Sequence, residues 1–287
     1  MFNTAFLVVL YNKTLADSNT LRAIAQADVD LAGGKLVIWN NGPAGLTERD
    51  VTAFQAKGLE VAIVETIGNI SLAGIYDQFM QNFPAERYVL LDHDSSIDRE
   101  YLSGVARVQA DELGVPLIHA AGAIRYPTRA GIPCGPQFGR VFDDTHVVNS
   151  IGSGLVLGQG LVETLRQQYG QPFDERFFLY GVDTTFFRRI RASLLTSHIR
   201  LIPGFEHSLS KLEAESEALR RFRKKERSYD LGLTLRFYER FPTNILKFAK
   251  VSVGHVKRKL LGIPTNIQYP DYVRAVFGGR HYRNSAR

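Results

Sequence analysis

The first 125 residues alternate between short apolar runs and segments whose apolar residues recur at helical spacing. Continuous apolar runs of this length are typical of strands covered on both faces, as in parallel sheets. The predicted strands cover residues 5–10, 35–39, 59–64, 88–91 and 116–121, and the predicted helices cover 18–31, a short segment from Thr47, 71–83, and a segment from Asp98 to about residue 113. Repeated strand–helix–strand units connect through right-handed crossovers. We therefore predict an α/β fold with a mostly parallel central sheet flanked by helices.

The pattern changes after Gly122. Residues 124–150 are rich in glycine, proline and polar residues, which predicts loops with short strands. Helices over 160–169 and 184–192 and a strand over 198–202 follow, and from residue 211 the pattern is helical and basic. We predict a domain over residues 1–210, with halves at 1–123 and 124–210, and a basic helical C-terminal extension over 211–287.

Composition limits the class of protein. The chain has 287 residues, of which 45% are hydrophobic, and this is enough for a sizeable core. The single Cys134 cannot form an internal disulfide, which fits a reducing compartment. The sequence shows neither a signal peptide nor an apolar stretch of the roughly eighteen residues that a membrane span needs. We expect a cytoplasmic protein.

Charge is distributed unevenly along the chain. Residues 211–287 contain 18 Lys and Arg against 7 Asp and Glu, a net charge of +11. Because the net charge of the whole chain is +6, residues 1–210 have a net charge of −5. Such asymmetry suggests an anionic partner for the basic part. No nucleic-acid-binding motif accompanies the charge, so we expect no nucleic acid as a partner.

One segment of the basic extension has the pattern of an amphipathic helix. Residues 244–261 place five apolar side chains at helical spacing, with most basic side chains elsewhere: Ile245, Ala249, Val253, Val256 and Leu260. Such a helix can lie on an anionic leaflet, which would make the protein peripheral on the inner face of the cell membrane. Alternatively, it packs against the body with its charges solvated.

Two acids follow the predicted strand 88–91. Asp92 and Asp94 are one residue apart, so their side chains point to the same side at the carboxyl end of the sheet. Ligands of open α/β sheets bind at that end. Two such carboxylates can share Mg²⁺ or Mn²⁺, which in turn binds phosphate oxygens. The alternative is that these acids cap the following helix.

Five segments, collinear over roughly residues 5–210, carry a family resemblance: VVLYN at 8–12, VIWNNG at 37–42, NISLA at 69–73, LDHDS at 91–95, and FDERFF leading to GVD at 173–183. Together they resemble an inverting family-2 glycosyltransferase with a GT-A fold, a nucleotide-diphospho-sugar transferase fold. The most similar members are bacterial and rhamnosyltransferase-like. The resemblance implies that residues 1–123 bind a nucleotide sugar and that residues 124–210 form the acceptor side, with loop 124–144 as an acceptor contact or lid.

The resemblance also implies an activity and the roles of the acids. It implies transfer of L-rhamnose from dTDP-rhamnose to a hydroxyl of a bacterial surface glycan or lipid-linked acceptor. Asp94 would bind the metal, and Asp92 would contact the nucleotide ribose or the metal through water. Asp183 would be the base that deprotonates the acceptor; a helix N-cap is its structural alternative. Many members have an acid where this chain has Val182, and Glu175 is a weaker candidate for the base.

Further residues match the family's donor site. Tyr11 and Asn12 would contact the nucleotide base and ribose, although Tyr11 could instead pack in the core. Asn40 stands where the family often has Asp, and Asp77 where it often has Asn; both are candidate nucleotide contacts. His207 would be an additional metal or diphosphate ligand, with a hydrogen-bonded structural role as the alternative.

Two other functions remain open at this stage. The chain could be a family-2 galactosyl-, glucosyl- or galactofuranosyltransferase, since the shape of the pocket decides which donor sugar binds. The chain could also be a non-catalytic protein that binds a sugar nucleotide or glycan. Val182 favours that reading, whereas Asp92, Asp94 and Asp183 disfavour it.

Overall fold

The computed structural model describes residues 1–207 and 216–286, and within these ranges one sheet of ten strands runs through the protein. The strands along the chain are β1 (Ala5–Leu10), β2 (Lys35–Asn40), β3 (Glu60–Glu65), β4 (Arg87–Asp92), β5 (Ser95–Ser96), β6 (Leu113–Ala120), β7 (Ala123–Tyr126), β8 (Thr128–Arg129), β9 (Ile132–Pro133), β10 (Gly139–Arg140), β11 (Val148–Asn149), β12 (Val156–Gly158) and β13 (Ile199–His207). The large sheet has the order β10-β13-β6-β12-β4-β1-β2-β3, with β5 beside β13 and β7 beside β6. Strands β8, β9 and β11 form a small separate sheet.

The helices lie between and after these strands. They are α1 (Asn19–Gln26), α2 (Thr52–Gln55), α3 (Leu72–Asn82), α4 (Arg99–Val105), α5 (Gln159–Tyr169), α6 (Val182–Ala192), α7 (Glu217–Tyr238), α8 (Thr243–Leu260) and α9 (Tyr269–Gly278), with short 3-10 helices at Thr196–His198 and Tyr282–Ala286. Within the described residues, no helix combines the length and the hydropathy that a membrane span requires.

The predicted α/β architecture with a mostly parallel sheet is confirmed. Strands β4, β1, β2 and β3 are parallel neighbours, and β6 and β13 are parallel as well. Strand β12 lies antiparallel between β4 and β6 and joins the two parallel groups. The register pairs Val9 with Trp39 and Asp92, so the carboxyl ends of β1, β2 and β4 meet at one edge.

Local capping explains where helices begin. The side chains of Ser18, Ser71 and Asp98 accept hydrogen bonds from backbone N–H groups in the first turns of α1, α3 and α4. The helix predicted from Thr47 is wrong: α2 begins at Thr52, whose backbone N–H and hydroxyl bond to the Asp50 carboxylate. Helix α4 ends at Val105, earlier than predicted, and turns over residues 106–112 lead from it to β6.

Two hydrophobic clusters cover the two faces of the sheet. One is built with α1, α2 and α4, and the other with α3, α5 and α6. The second cluster also includes Leu233 of α7 and Ala275 of α9, both fully buried. Gly232 allows α7 and α9 to approach closely, since a Cβ there would lie 2.6 Å from the Ala275 Cβ. Helices α7 and α9 therefore belong to the core of the body.

The C-terminal extension is also tied to the body by polar contacts. The Tyr238 hydroxyl donates to Asp174 Oδ2 at 2.7 Å, and Arg188 pairs with Glu239 at 3.1 Å. Helix α8 differs, because none of its residues is buried. The predicted boundary at residue 210 lies outside the described residues, so the division into a domain and an extension stays a prediction.

A buried carboxylate joins three strands at the amino end of β6, at the edge of the sheet opposite the carboxyl ends of β1, β2 and β4. Glu112, 1% exposed, precedes β6 and accepts hydrogen bonds from Arg140 of β10 and Arg200 of β13. Burial raises the pKa of Glu112, but hydrogen bonds from Arg200, the Gln109 backbone and Arg140 outweigh it and lower the pKa to about 2. The ionised carboxylate therefore stabilises the fold and holds β13 in place.

We expect Glu112→Gln to lower the free energy of unfolding at pH 7 by about 3 kcal/mol, the value that the pKa difference between the unfolded and folded states implies. Because the folded pKa is depressed, this contribution is complete above pH 4.5, the ordinary value, and is lost as the pH falls towards 2. Urea unfolding at several pH values measures it. The control Asp111→Asn removes an exposed neighbouring carboxylate and should cost less than about 1 kcal/mol. Equal losses for both variants would contradict the assignment.

Candidate active site

Three potential metal ligands converge where β4 ends. Asp92, Asp94 and His207 each offer one ligand atom, and these atoms lie within 4.8 Å of one another. His207 Nε2 is 3.8 Å from Asp92 Oδ2, and His207 Nδ1 is 3.6 Å from Asp94 Oδ1. The short strand β5 makes this possible, since it pairs antiparallel with the end of β13 and places His207 opposite Ser95. The predicted group of two carboxylates and one imidazole is therefore present.

Strand β13 reaches the site through an irregularity. Its register against β6 shifts between Ile202 and Phe205. Gly204 lies within this shift, and a Cβ on it would be 1.5 Å from the carbonyl oxygen of Leu117. Any larger residue would push β13 away from β6, so glycine is required to bring His207 beside the two acids.

A layer of hydroxyl groups supports the metal-ligand candidates. The Asp92 backbone N–H donates to Ser153 Oγ at 2.9 Å, Ser153 Oγ lies 2.7 Å from Ser95 Oγ, and Ser95 Oγ lies 3.2 Å from His207 Nδ1. The Thr20 hydroxyl accepts from the Ser95 backbone N–H and donates to the Asp92 carbonyl. If Nδ1 donates to Ser95, Nε2 of His207 keeps its lone pair for a metal.

The local chemistry fits a divalent cation. Asp94 Oδ1 is buried and has no hydrogen-bond partner, which is costly for a carboxylate oxygen. Burial raises the pKa of Asp92, His207 lowers it, and the nearby Asp94 charge raises it again. Two carboxylates and an imidazole are ligands that Mn²⁺ and Mg²⁺ accept. The capping alternative for these acids is wrong, because Asp98 caps α4.

Asp183 lies in the first turn of α6, where burial and neighbouring acids change its pKa. Gly181, with φ at 85°, occupies the N-cap, so Asp183 is not the capping residue. The Gly152 backbone N–H donates to the Asp183 carboxylate. Burial first, then the charge of Asp92, raises the pKa of Asp183 to about 7. The effect of Asp92 means that two acids from distant parts of the sequence lie close enough for their charges to interact.

The segment Gly152-Ser153-Gly154 joins both parts of the site, a feature that sequence reasoning missed. A Cβ on Gly152 would lie 2.7 Å from Asp183 Oδ1, so the backbone passes directly against the acid. Ser153 binds the Asp92 backbone. Gly154, with φ at 88°, donates its N–H to the Leu90 carbonyl at 2.6 Å. Two glycines around a serine before a strand were the only sequence signal.

Asp230 of α7 is a second acid that sequence reasoning missed. A Cβ on Gly181 would lie 2.3 Å from Asp230 Oδ1, so this carboxylate sits against the turn that begins α6. Its charge contributes to the raised pKa of Asp183. Burial raises the pKa of Asp230 itself to about 6. No local motif marks this residue, because only the packing of α7 brings it here.

The candidate nucleotide contacts are in different surroundings. Tyr11 follows β1 at the functional edge and is 50% exposed, so core packing is excluded. Asn12, also exposed, has a left-handed backbone, and its N–H donates to the Gly42 carbonyl at 2.7 Å. Both residues are accessible where β1 ends, and their nucleotide contacts stay predictions.

Asn40 and Asp77 are engaged in internal contacts. The Asn40 amide donates to the Ala44 carbonyl at 2.7 Å and to Glu65 at 3.0 Å. Asp77, on α3, accepts from Gln81 at 2.6 Å and lies 3.8 Å from an Arg166 nitrogen. The structure does not bring Asp77 into the metal-ligand group, and a nucleotide contact for either residue stays a prediction.

We expect purified protein to bind Mn²⁺, as measured by calorimetry, and we expect Asp94→Asn and His207→Asn each to weaken binding at least ~tenfold because each removes one ligand. The matched control is His93→Asn, which changes the histidine between the two acids that lies outside the ligand group. Unchanged affinity in His207→Asn, or an equal loss in His93→Asn, would exclude this site.

Comparisons with known proteins bear on the fold. No protein-family model matches the sequence, and no curated protein is significantly similar to it. Solved structures do match. S. aureus TarS 1-349 in complex with UDP has a TM-score of 0.55 at 13% sequence identity, over 82% of this chain and 64% of TarS 1-349. The same TarS segment with UDP-GlcNAc has a TM-score of 0.53 at 14% identity, over 82% and 66%.

A further match is GalNAc-T7 with UDP, GalNAc and Mn²⁺, which has a TM-score of 0.51 at 13% identity, over 81% of this chain and 51% of that one. The chain thus spans less than two thirds of the length of each of these structures. At such low identity the matches establish architecture only. The protein has the GT-A fold, as the sequence resemblance implied.

Proposed function

We propose that the protein is a metal-dependent inverting glycosyltransferase that moves a sugar from a nucleoside diphosphate donor to a hydroxyl of a bacterial surface glycan or glycolipid. The observation that carries this proposal is that one short segment contacts both parts of the site: Ser153 bonds to the backbone of Asp92, a member of the Asp92–Asp94–His207 group, and Gly152 lies against Asp183. The Asp92–Asp94–His207 group is suited to holding the leaving diphosphate through a metal, and Asp183 is suited to accepting the proton of the incoming hydroxyl.

Asp94, Asp92 and His207 would hold the metal. A divalent cation there supplies electrostatic stabilisation of the charge that develops on the leaving diphosphate. Ser95 and Ser153 orient His207 and the Asp92 backbone, so the ligand geometry is set before the donor arrives. Support for this metal also comes from the Mn²⁺ in the GalNAc-T7 structure.

Asp183 would accept the proton of the attacking hydroxyl. A base works best when its pKa lies near the operating pH, and the pKa of about 7 meets that condition. The Gly152 N–H holds the carboxylate in place. Attack from the side opposite the diphosphate inverts the anomeric centre without a sugar bound covalently to the enzyme.

The donor assignment rests on different support. The TarS complexes with UDP and UDP-GlcNAc favour a nucleotide sugar, and Tyr11 offers an exposed aromatic surface for its base. The choice of dTDP-L-rhamnose comes from the sequence resemblance. Residues 124–144 remain the candidates for acceptor contact.

A panel of nucleotide sugars, incubated with Mn²⁺ or with chelator, tests the activity through release of nucleoside diphosphate. We expect release from dTDP-rhamnose that chelator abolishes. Release only from UDP-galactose, UDP-glucose or UDP-galactofuranose would reassign the donor. Binding of a donor without any release or transfer would favour a non-catalytic protein.

We expect Asp183→Asn to bind donor within roughly twofold of wild type and to lose transfer by at least ~100-fold, because the amide cannot accept the proton. Titration of the donor and single-turnover transfer separate the two effects. The control Glu175→Gln removes an exposed acid in the same region and should transfer normally. Near-wild-type transfer by Asp183→Asn would refute the role of base.

We expect Asp230→Asn to shift the acid limb of the pH–rate profile to lower pH. The negative charge of Asp230 raises the pKa of Asp183, so its removal lowers that pKa and keeps the base ionised in more acidic solution. Transfer rates between pH 5 and 9 measure the shift. Glu217→Gln, an exposed acid of α7, is the control; a profile that moves upward or stays fixed in Asp230→Asn would contradict the coupling.

A further inference from the structure

Helix α8 presents an unusually apolar surface. Along one side of this helix, apolar side chains follow each other at helical spacing and remain open to solvent, Val253 at 67% and Leu260 at 82% exposure. The members of this outer stripe are Ile245, Leu246, Val253, Val256 and Leu260. Leu261 and Ile263, just beyond the helix, extend it. A continuous apolar strip of this kind marks an interaction surface.

A different side of α8 fixes its orientation. Phe248 stacks on Tyr272 of α9 at 5.8 Å, and His255 stacks on Tyr269 at 4.5 Å. The Tyr269 hydroxyl donates to Ser252 at 2.7 Å. Since α9 contributes to the buried core, these contacts hold α8 against the body with the outer stripe facing away from it.

The charges around the outer stripe have one sign. Residues 240–270 contain six basic residues and no acidic residue. Lys250 and Lys257 lie beside the stripe on the helical surface, and Lys259 lies on its other side. An apolar strip between basic side chains is complementary to a bilayer with anionic headgroups, because the strip enters the acyl boundary while each lysine reaches the phosphates.

We infer that α8 lies in the interface of an anionic lipid leaflet and docks the protein on it. The helix has 18 residues, about 27 Å at the usual rise, and so offers a flat contact of several turns. A second copy of the chain is a poorer occupant, because two outer stripes meeting face to face would bring like charges together. This inference does not depend on the proposed activity.

Sedimentation with vesicles tests the inference. We expect the full chain to bind vesicles of phosphatidylglycerol and phosphatidylcholine and to bind pure phosphatidylcholine at least ~tenfold more weakly, with binding reduced by salt. The double variant Val253→Glu/Leu260→Glu should reduce binding at least ~tenfold, since each change places a charge in the apolar strip. Lys250→Glu/Lys257→Glu should reduce binding to the anionic vesicles to a similar extent.

The matched control is Leu194→Glu, a leucine on the body that is 67% exposed, as Val253 is. This variant should bind vesicles as wild type does. All changed side chains are exposed, so thermal unfolding should be the same for every variant. Failure of wild type to bind anionic vesicles, or an equal loss in Leu194→Glu, would overturn the inference. Sedimentation equilibrium gives a second test. The inference would also be overturned if the wild-type protein formed a dimer and did not bind vesicles, and if Val253→Glu/Leu260→Glu dissociated that dimer.

Discussion

The contact of one short segment with two acids is the constraint on which the site depends. Gly152 passes against Asp183, and the neighbouring Ser153 bonds to the backbone of Asp92, so a shift of this segment would move both acids at once. It can lie there only because Gly152 has no side chain and because Gly154 adopts a left-handed backbone. Asp92 and Asp183, from distant parts of the chain, are thereby held at a set spacing.

This spacing concentrates negative charge in a partly buried place. The charge of Asp94 raises the pKa of Asp92, and burial with the charges of Asp92 and Asp230 raises the pKa of Asp183 to about 7. Burial raises the pKa of Asp230 to about 6. Such crowding costs folding free energy unless protons or a cation offset it. A cation would also stabilise Asp94 Oδ1, which is buried and has no hydrogen-bond partner in the described residues. The repulsion among these carboxylates is therefore linked to the capacity of the site for binding a cation and for taking up a proton.

The C-terminal helices α7 and α8 lie in different surroundings. Helix α7 packs into the core and delivers Asp230 to the turn before Asp183. Helix α8 packs against α9, and its apolar side faces away from the body. The basic, helical extension that the sequence predicts is thus divided by packing: α7 and α9 complete the core, and α8 remains exposed.

Much of the fold and half of the site follow from local sequence patterns. Apolar periodicity predicted the β-α-β order. The end of the apolar run at Asp92 predicted that Asp92 and Asp94 lie at the edge of the sheet, and they stay close because they are near in the chain, although Asp94 lies in the turn after β4 and not in the strand. The wrong start at Thr47 shows the limit even for local signals, since α2 begins five residues later at Thr52, whose N–H and hydroxyl donate to Asp50. Only the tertiary structure decided that His207 lies opposite Ser95, that Gly152 meets Asp183, and that the outer stripe of α8 is left uncovered. These relations depend on strand register and helix packing between residues far apart in the chain, and no local pattern encodes them.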